Sequence, residues 1–171
     1  FINSARTNVP DERAQFVEAD LLQKLPFEDA SFDVVYSIFV LNELPEIRLH
    51  IQEMSRVLHS GGHLLIVATH PLFAMYYHLY ERFTGKQNDK LIGIKGYFDR
   101  EPVQYIFTLA KSSARFFQHT FEEFLNPLFE SGMEPLKLLE LRTDDINFQS
   151  IPSYWDTRDV PKYLFLKAQK R

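Results

Sequence analysis

From position 15 to position 69 short apolar runs alternate with polar connectors, and the pattern predicts strand, loop, strand, helix and strand in turn. Residues 15–19 read as a strand ended by Asp20, residues 27–31 as a polar connector, and residues 32–37 as a buried strand. Asp33 within that strand is read as bonding a neighbouring turn rather than doing chemistry. Pro45 and Glu46 suit the first turn of a helix. Ile47, Ile51, Met54 and Leu58 recur at helical spacing and form its core stripe. Gly61 and Gly62 are expected to stop it. Residues 63–69 are apolar enough for a strand buried on both faces. This alternation predicts a parallel α/β sheet. Ligands of such sheets lie outside the carboxyl ends of the strands, which singles out Asp20, Ser37 and Thr69–His70.

The pattern changes after position 73. Residues 75–83 read as a helix crowded with aromatics, and residues 85–96 as a looser basic loop. Residues 103–109 and 115–119 alternate, with Lys111-Ser112-Ser113 as a turn, so a hairpin is expected. Thr120-Phe121-Glu122-Glu123 is a capping box. The helix it opens carries Phe121, Phe124, Leu125, Leu128 and Phe129 inward and ends at Gly132. Strands follow at 136–141 and 162–168, separated by a long loop that holds Trp155, the single tryptophan. Lys170 and Arg171 read as a solvated end. At the other terminus Phe1, Ile2 and Ala5 share one helical face, so the sequence opens inside a helix.

Composition narrows the function classes. A chain of 171 residues is enough for one domain, residues 1–171, with a real core. The net charge of −4 gives no phosphate-neutralising surface, so nucleic acid is not an expected partner. Without cysteine, disulfides and thiolate metal sites are ruled out, and a cytoplasmic setting is expected. No apolar run approaches the roughly 20 residues of a membrane span, so no membrane partner is expected. The 6 histidines form no i, i+4 pair with a partnering acid, and no metal is expected. Aromatics at 15% argue for an aromatic-lined interior or pocket.

Three pieces carry a resemblance. They are Glu18-Ala19-Asp20-Leu21, the stretch Leu25-Pro26-Phe27-Glu28-Asp29-Ala30-Ser31-Phe32-Asp33-Val34-Val35, and Arg56-Val57-Leu58-His59-Ser60-Gly61-Gly62-His63-Leu64. In this order and spacing they resemble the second half of the cofactor domain of class I S-adenosylmethionine-dependent methyltransferases of the small-molecule type. The fold class this implies is α/β: a Rossmann-like methyltransferase sheet, N-terminally truncated, with an aromatic lid inserted at 74–119. The cofactor it implies is S-adenosyl-L-methionine. Asp20 would accept from the adenine amino group, the Leu21 amide would donate to the ring, and Ser37 would border the cofactor. Read from the residues alone, Asp20 equally suits an acid capping the next turn.

The resemblance also places a substrate pocket. The lid and the hairpin would wall it, with Tyr76, Tyr77 and Tyr105 facing a small-molecule substrate; the alternative is a small satellite core. His70 and His119 are candidate bases for an acceptor hydroxyl or amine, or else partners of nearby loops. Where the family often has a histidine pair this chain has Asn42-Glu43, which leaves Asn42 at best an orienting group. The family's glycine-rich turn and ribose-gripping acid have no counterpart here, so the sequence is expected to be a fragment. Two central strands would be missing between 15–19 and 32–37, leaving unpaired backbone on both sides. The strands are then expected to re-pair, or to be completed by a second copy in a homodimer.

Methyl transfer from a sulfonium is an in-line displacement in which the cofactor carries the hard chemistry. The protein aligns the reactants and excludes water, so no dedicated catalytic motif is needed. Two other readings are open. One is a nicotinamide-dependent oxidoreductase on a similar sheet, although no Tyr-x-x-x-Lys pair lies at a strand end. The other is a noncatalytic remnant serving as an interaction or dimerisation module.

Overall fold

A computed structural model describes residues 2–72, 97–98, 102–107, 112–142 and 161–171, with the side chains of 103–107 and 112–114 outside the description. The elements are α1 (Ile2–Asn8), β1 (Phe32–Ile38), a 3-10 turn (Leu41–Glu43), α2 (Arg48–Val57), β2 (Leu58–Thr69), β3 (Val103–Phe107), β4 (Ser112–Phe116), α3 (Phe121–Glu130), β5 (Met133–Leu141) and β6 (Tyr163–Lys170). Four strands form one sheet in the order β1-β2-β6-β5, and β3 pairs with β4 alone.

The core follows from period-two alternation on the central strands. Leu64, Ile66 and Ala68 of β2 and Leu164, Leu166 and Ala168 of β6 are all buried on one face. The antiparallel register sets Ile66 opposite Leu166 and Leu64 opposite Ala168. Onto this face α2 brings Ile51 and Met54, with Ile47 at its N-cap, and α3 brings Phe124 and Leu128. Burying each large apolar side chain stabilises the fold by about 1.5–3 kcal/mol. Arg48 and Glu130 form an ion pair between the two helices.

Local chemistry fixes where α2 begins and ends. The Glu46 carboxylate accepts from the Arg48 amide at 2.6 Å and thereby closes the first turn. The helix stops at Val57, ahead of the glycines expected to end it, because Leu58 already pairs with Phe32 of β1. The Lys170 ammonium holds the freed carbonyls of Ser55 at 2.9 Å and Leu58 at 2.8 Å. Lys170 is therefore a helix cap reaching back from the last strand, not a solvated end. Gly61, at φ +82°, lies inside β2, where the pairing with β1 slips. A Cβ on Gly62 would lie 3.0 Å from the Asp33 carbonyl, so β1 and β2 approach there as only glycine permits.

Several expectations change. Residues 15–19 belong to no strand. Among the described residues no strand lies between them and β1, so their backbone has no ladder to join. β1 is consequently an edge strand rather than a buried one, with Val34, Tyr36 and Ile38 each at least half exposed. The sheet is mixed rather than parallel: β1–β2 is the parallel pair, and β2–β6 and β5–β6 are antiparallel. β2 is buried on one face and half-buried on the other. Phe129 is 59% exposed, because α3 turns it away from the sheet. The β3–β4 hairpin is present, but Ser112 and Ser113 pair with Phe107 and Ile106 instead of turning. Its turn, most of the expected lid and the loop holding Trp155 lie outside the described residues. Among those residues, no helix is long and apolar enough to cross a membrane.

Candidate functional site

The residues singled out by position gather near the carboxyl ends of β1 and β2, but they make different bonds. A cleft of about 270 Å3 opens between the segment before β1, β1 itself and α2. The segment supplies Val17, Ala19, Leu21, Leu25 and Phe27; β1 supplies Val35, Tyr36 and Ser37; α2 supplies His50 and Met54. Leu21 and Ser37 both line it. Asp20, set between two lining residues, is exposed, and its carboxylate accepts from the Leu22 amide at 2.9 Å. This is the bond of an acid capping a turn. Among the described residues, the Ser37 hydroxyl and His50 Nδ1 are buried side-chain atoms without a hydrogen-bond partner. Both residues line the cleft. Burial holds the His50 imidazole below its usual range, against a weaker upward pull from Glu53.

A larger concavity of about 580 Å3 lies among Arg6, Pro10, Glu12 and their neighbours. None of its lining residues is buried, and it holds none of the predicted site residues.

The two candidate bases are both engaged. His70 is fully buried. Its Nδ1 accepts from the Leu72 amide at 3.1 Å, which leaves the proton on Nε2 to be donated to Glu140 at 2.8 Å. Burial lowers its basicity, and Glu140 pulls the other way. His119 Nε2 donates to the Leu41 and Leu44 carbonyls at 3.1 and 2.9 Å and so holds the 3-10 turn. Asn42 in that turn accepts from the Thr69 amide at 3.0 Å and donates to the Phe117 carbonyl at 3.3 Å. It joins the end of β2 to the exit of β4. Tyr76 and Tyr77 lie outside the described residues. Tyr105 stands opposite Ala114 in the hairpin, and its side chain lies outside the description.

What the sequence reading did not find is the clamp that shapes the cleft. Arg56 bonds Glu53 at 2.8 Å, Asp29 at 2.6 Å, and the carbonyls of Phe27 at 2.9 Å and Leu25 at 3.1 Å. Glu53 in turn accepts from the Leu25 amide at 2.7 Å. Hydrogen bonds from Arg56 hold both carboxyls below their usual range. One guanidinium therefore fastens the Leu25–Asp29 piece to α2, which gives a physical reason for both to stand in the same pattern. His50 was also missed, though its spacing from Ile47 and Met54 places it on the inward face of α2.

Comparison with known proteins shows what this arrangement is similar to. Residues 1–66 match the family described as "Methyltransferase domain". The fold is that of a protein of Listeria monocytogenes described as an S-adenosylmethionine-dependent methyltransferase, with a TM-score of 0.77 and 16% identity. That match covers 99% of this chain and 74% of the other. Two curated relatives are more similar in sequence over shorter stretches. Demethylmenaquinone methyltransferase of Staphylococcus aureus is 38% identical over 76 residues, 42% of this chain and 31% of that protein. Sterol 4-C-methyltransferase strm-1 of Caenorhabditis elegans is 42% identical over 55 residues, 32% of this chain and 16% of that protein. The chain thus spans less than a third of the length of these two relatives. The resemblance to S-adenosylmethionine-dependent methyltransferases is borne out, and the fold is their Rossmann-like α/β fold. Nothing in these comparisons supports the oxidoreductase alternative.

Proposed function

We propose that this chain is the cofactor-domain part of an S-adenosylmethionine-dependent methyltransferase whose acceptor is a small molecule. The observation that carries the reading is the cleft at the carboxyl end of β1, bordered by Ala19, Leu21 and Ser37 within the stretch matched to the methyltransferase domain. Relatives named for a sterol and for demethylmenaquinone support a small, largely apolar acceptor. S-adenosyl-L-methionine would supply the methyl group and the leaving sulfide. The residues here would hold its adenosine end, exclude water with Val17, Leu21 and Met54, and keep the cleft shaped through Arg56. Asp20 would reach an adenine amino group only by giving up its bond to the Leu22 amide. His70 and His119 are proposed as supports of the strand ends rather than bases, because His70 is bonded through both ring nitrogens and His119 through Nε2. Tyr76, Tyr77 and Tyr105, with the 74–119 lid, are proposed as the acceptor side. One domain over residues 1–171 and a cytoplasmic setting belong to the same reading.

A specific observation favours a second role alongside it. β1 is an open edge carrying exposed Val34, Tyr36 and Ile38, which suits pairing with a second copy. Calorimetric titration tests the main reading. S-adenosylhomocysteine is expected to bind and NADH not to bind. Binding of NADH alone would overturn it.

A further inference from the structure

The β3–β4 hairpin and the four-stranded sheet share no ladder, and β4 meets the rest of the described structure chiefly at the 3-10 turn Leu41–Glu43. That turn stands just beyond the carboxyl end of β1 and also packs on β2. It is gripped from both sides. On the hairpin side the Phe117 amide donates to the Asn42 carbonyl at 2.7 Å, and the Asn42 side-chain amide donates to the Phe117 carbonyl at 3.3 Å. His119 holds the Leu41 and Leu44 carbonyls from the same side. On the sheet side Asn42 Oδ1 accepts from the Thr69 amide at 3.0 Å. One buried side chain thus bonds both bodies. We propose that Asn42 is a positioning residue that pins the hairpin, and with it the acceptor side, to the strand ends that border the cleft.

The task calls for a carboxamide. The Thr69 amide needs an acceptor and the Phe117 carbonyl needs a donor, and an asparagine offers both on one carbon. An ionised aspartate would keep the first bond and repel the carbonyl; a leucine would fill the space and make neither. Asn42 is 4% exposed, so water does not take over a bond that is lost there. Place supports the same role. Val40, the N-cap of the turn, lines the cleft, so the pin stands where the cleft wall ends and the hairpin begins. The segment that Asn42 holds continues into a second attachment. The Gln118 side chain donates to the Tyr97 carbonyl at 3.3 Å, and the Phe121 amide donates to the Tyr97 hydroxyl at 2.9 Å. Tyr97 lies within the 74–119 insert, so the insert is tied to the same few residues that Asn42 fixes.

The inference rests on the methyltransferase reading for what stands on either side of the pin, and one experiment separates the two. Amide exchange without ligand, and calorimetric titration with S-adenosylhomocysteine, are measured on the intact 171-residue chain and on Asn42→Leu and Asn42→Asp. In Asn42→Leu the amides of Thr69, Phe117 and the hairpin are expected to lose protection about tenfold, while those of the β2–β6 ladder keep theirs. Asn42→Asp is expected to lose as much at pH 8 and to recover at about pH 5 relative to the unaltered chain at each pH. Burial beside a carbonyl favours the protonated carboxyl, which again sets a donor beside an acceptor. A gap in packing would show no such rescue, and the Asn42→Asp comparison carries the test alone if Asn42→Leu does not fold. Affinity for S-adenosylhomocysteine is expected to stay within about twofold in both variants. Unchanged hairpin protection, absent rescue, or a loss shared equally by the ladders overturns the pin, whether or not the ligand binds. Rescued hairpin protection in a chain that never binds S-adenosylhomocysteine upholds the pin and removes the methyltransferase reading.

Discussion

The two sides of this sheet are built to different standards. On one side β2, β6 and β5 are joined by long antiparallel ladders and covered by α2 and α3. On the other side β1 is an edge strand, and the approach to it from residue 9 to residue 27 has no regular structure beyond turns. The first side contains nearly all of the buried apolar residues; the second contains the cleft. The contrast teaches where stability and binding are divided here. The ladders hold the strand ends still, and the looser side holds the concavity that a ligand can enter.

The sharpest way to break the comparison is to alter each side in turn. Leu166→Ala, at a fully buried ladder position, is expected to destabilise the chain by about 3 kcal/mol in urea unfolding. Val34→Thr on the exposed edge is expected to change stability by less than about 0.5 kcal/mol. Equal losses would mean that β1 is as integral as β6. Arg56→Ala comes next. It removes the clamp and strands Glu53, and a loss of about 3 kcal/mol is expected, with faster amide exchange confined to residues 25–31. Lys170→Met frees the carbonyls at the end of α2 and is expected to cost about 1 kcal/mol, read as a shift in the unfolding midpoint.

The pH dependence is smaller and has a definite sign. His50 and His70 are held below the usual histidine value of 6.5, so below that pH the unfolded chain binds more protons. Their contribution is complete above about pH 6.5 and fades as the pH falls through their lowered values. Glu53 and Asp29, also held low, add a second loss below about pH 4.5. Thermal melts from pH 8 to 4 are expected to show the first loss in the native sequence and a weaker one in His70→Gln.

Much of this was legible from the residues. The apolar run at 63–69 marked most of β2, and the Thr120 capping box marked the start of α3, because those signals depend only on neighbours in sequence. The run at 15–19 has the composition of a strand but no partner to make it one, and pairing is a property of the whole sheet. The glycine pair looked like a helix stop, yet the helix ends where β1 captures Leu58, a contact made across the fold. The site divides in the same way. Ser37 was singled out by its place at a strand end and Leu21 by the resemblance, whereas Arg56 and Lys170 act through bonds to distant carbonyls that no local spacing reveals.

Amide hydrogen exchange on the intact chain, with and without S-adenosylhomocysteine, tests the central claim most directly. The slowest amides are expected in β2 and β6, and added ligand is expected to slow exchange at Ala19, Leu21 and residues 35–37 while leaving the ladders unchanged. Protection that appears instead around Arg6 to Gln15, or nowhere along the cleft, would contradict the account.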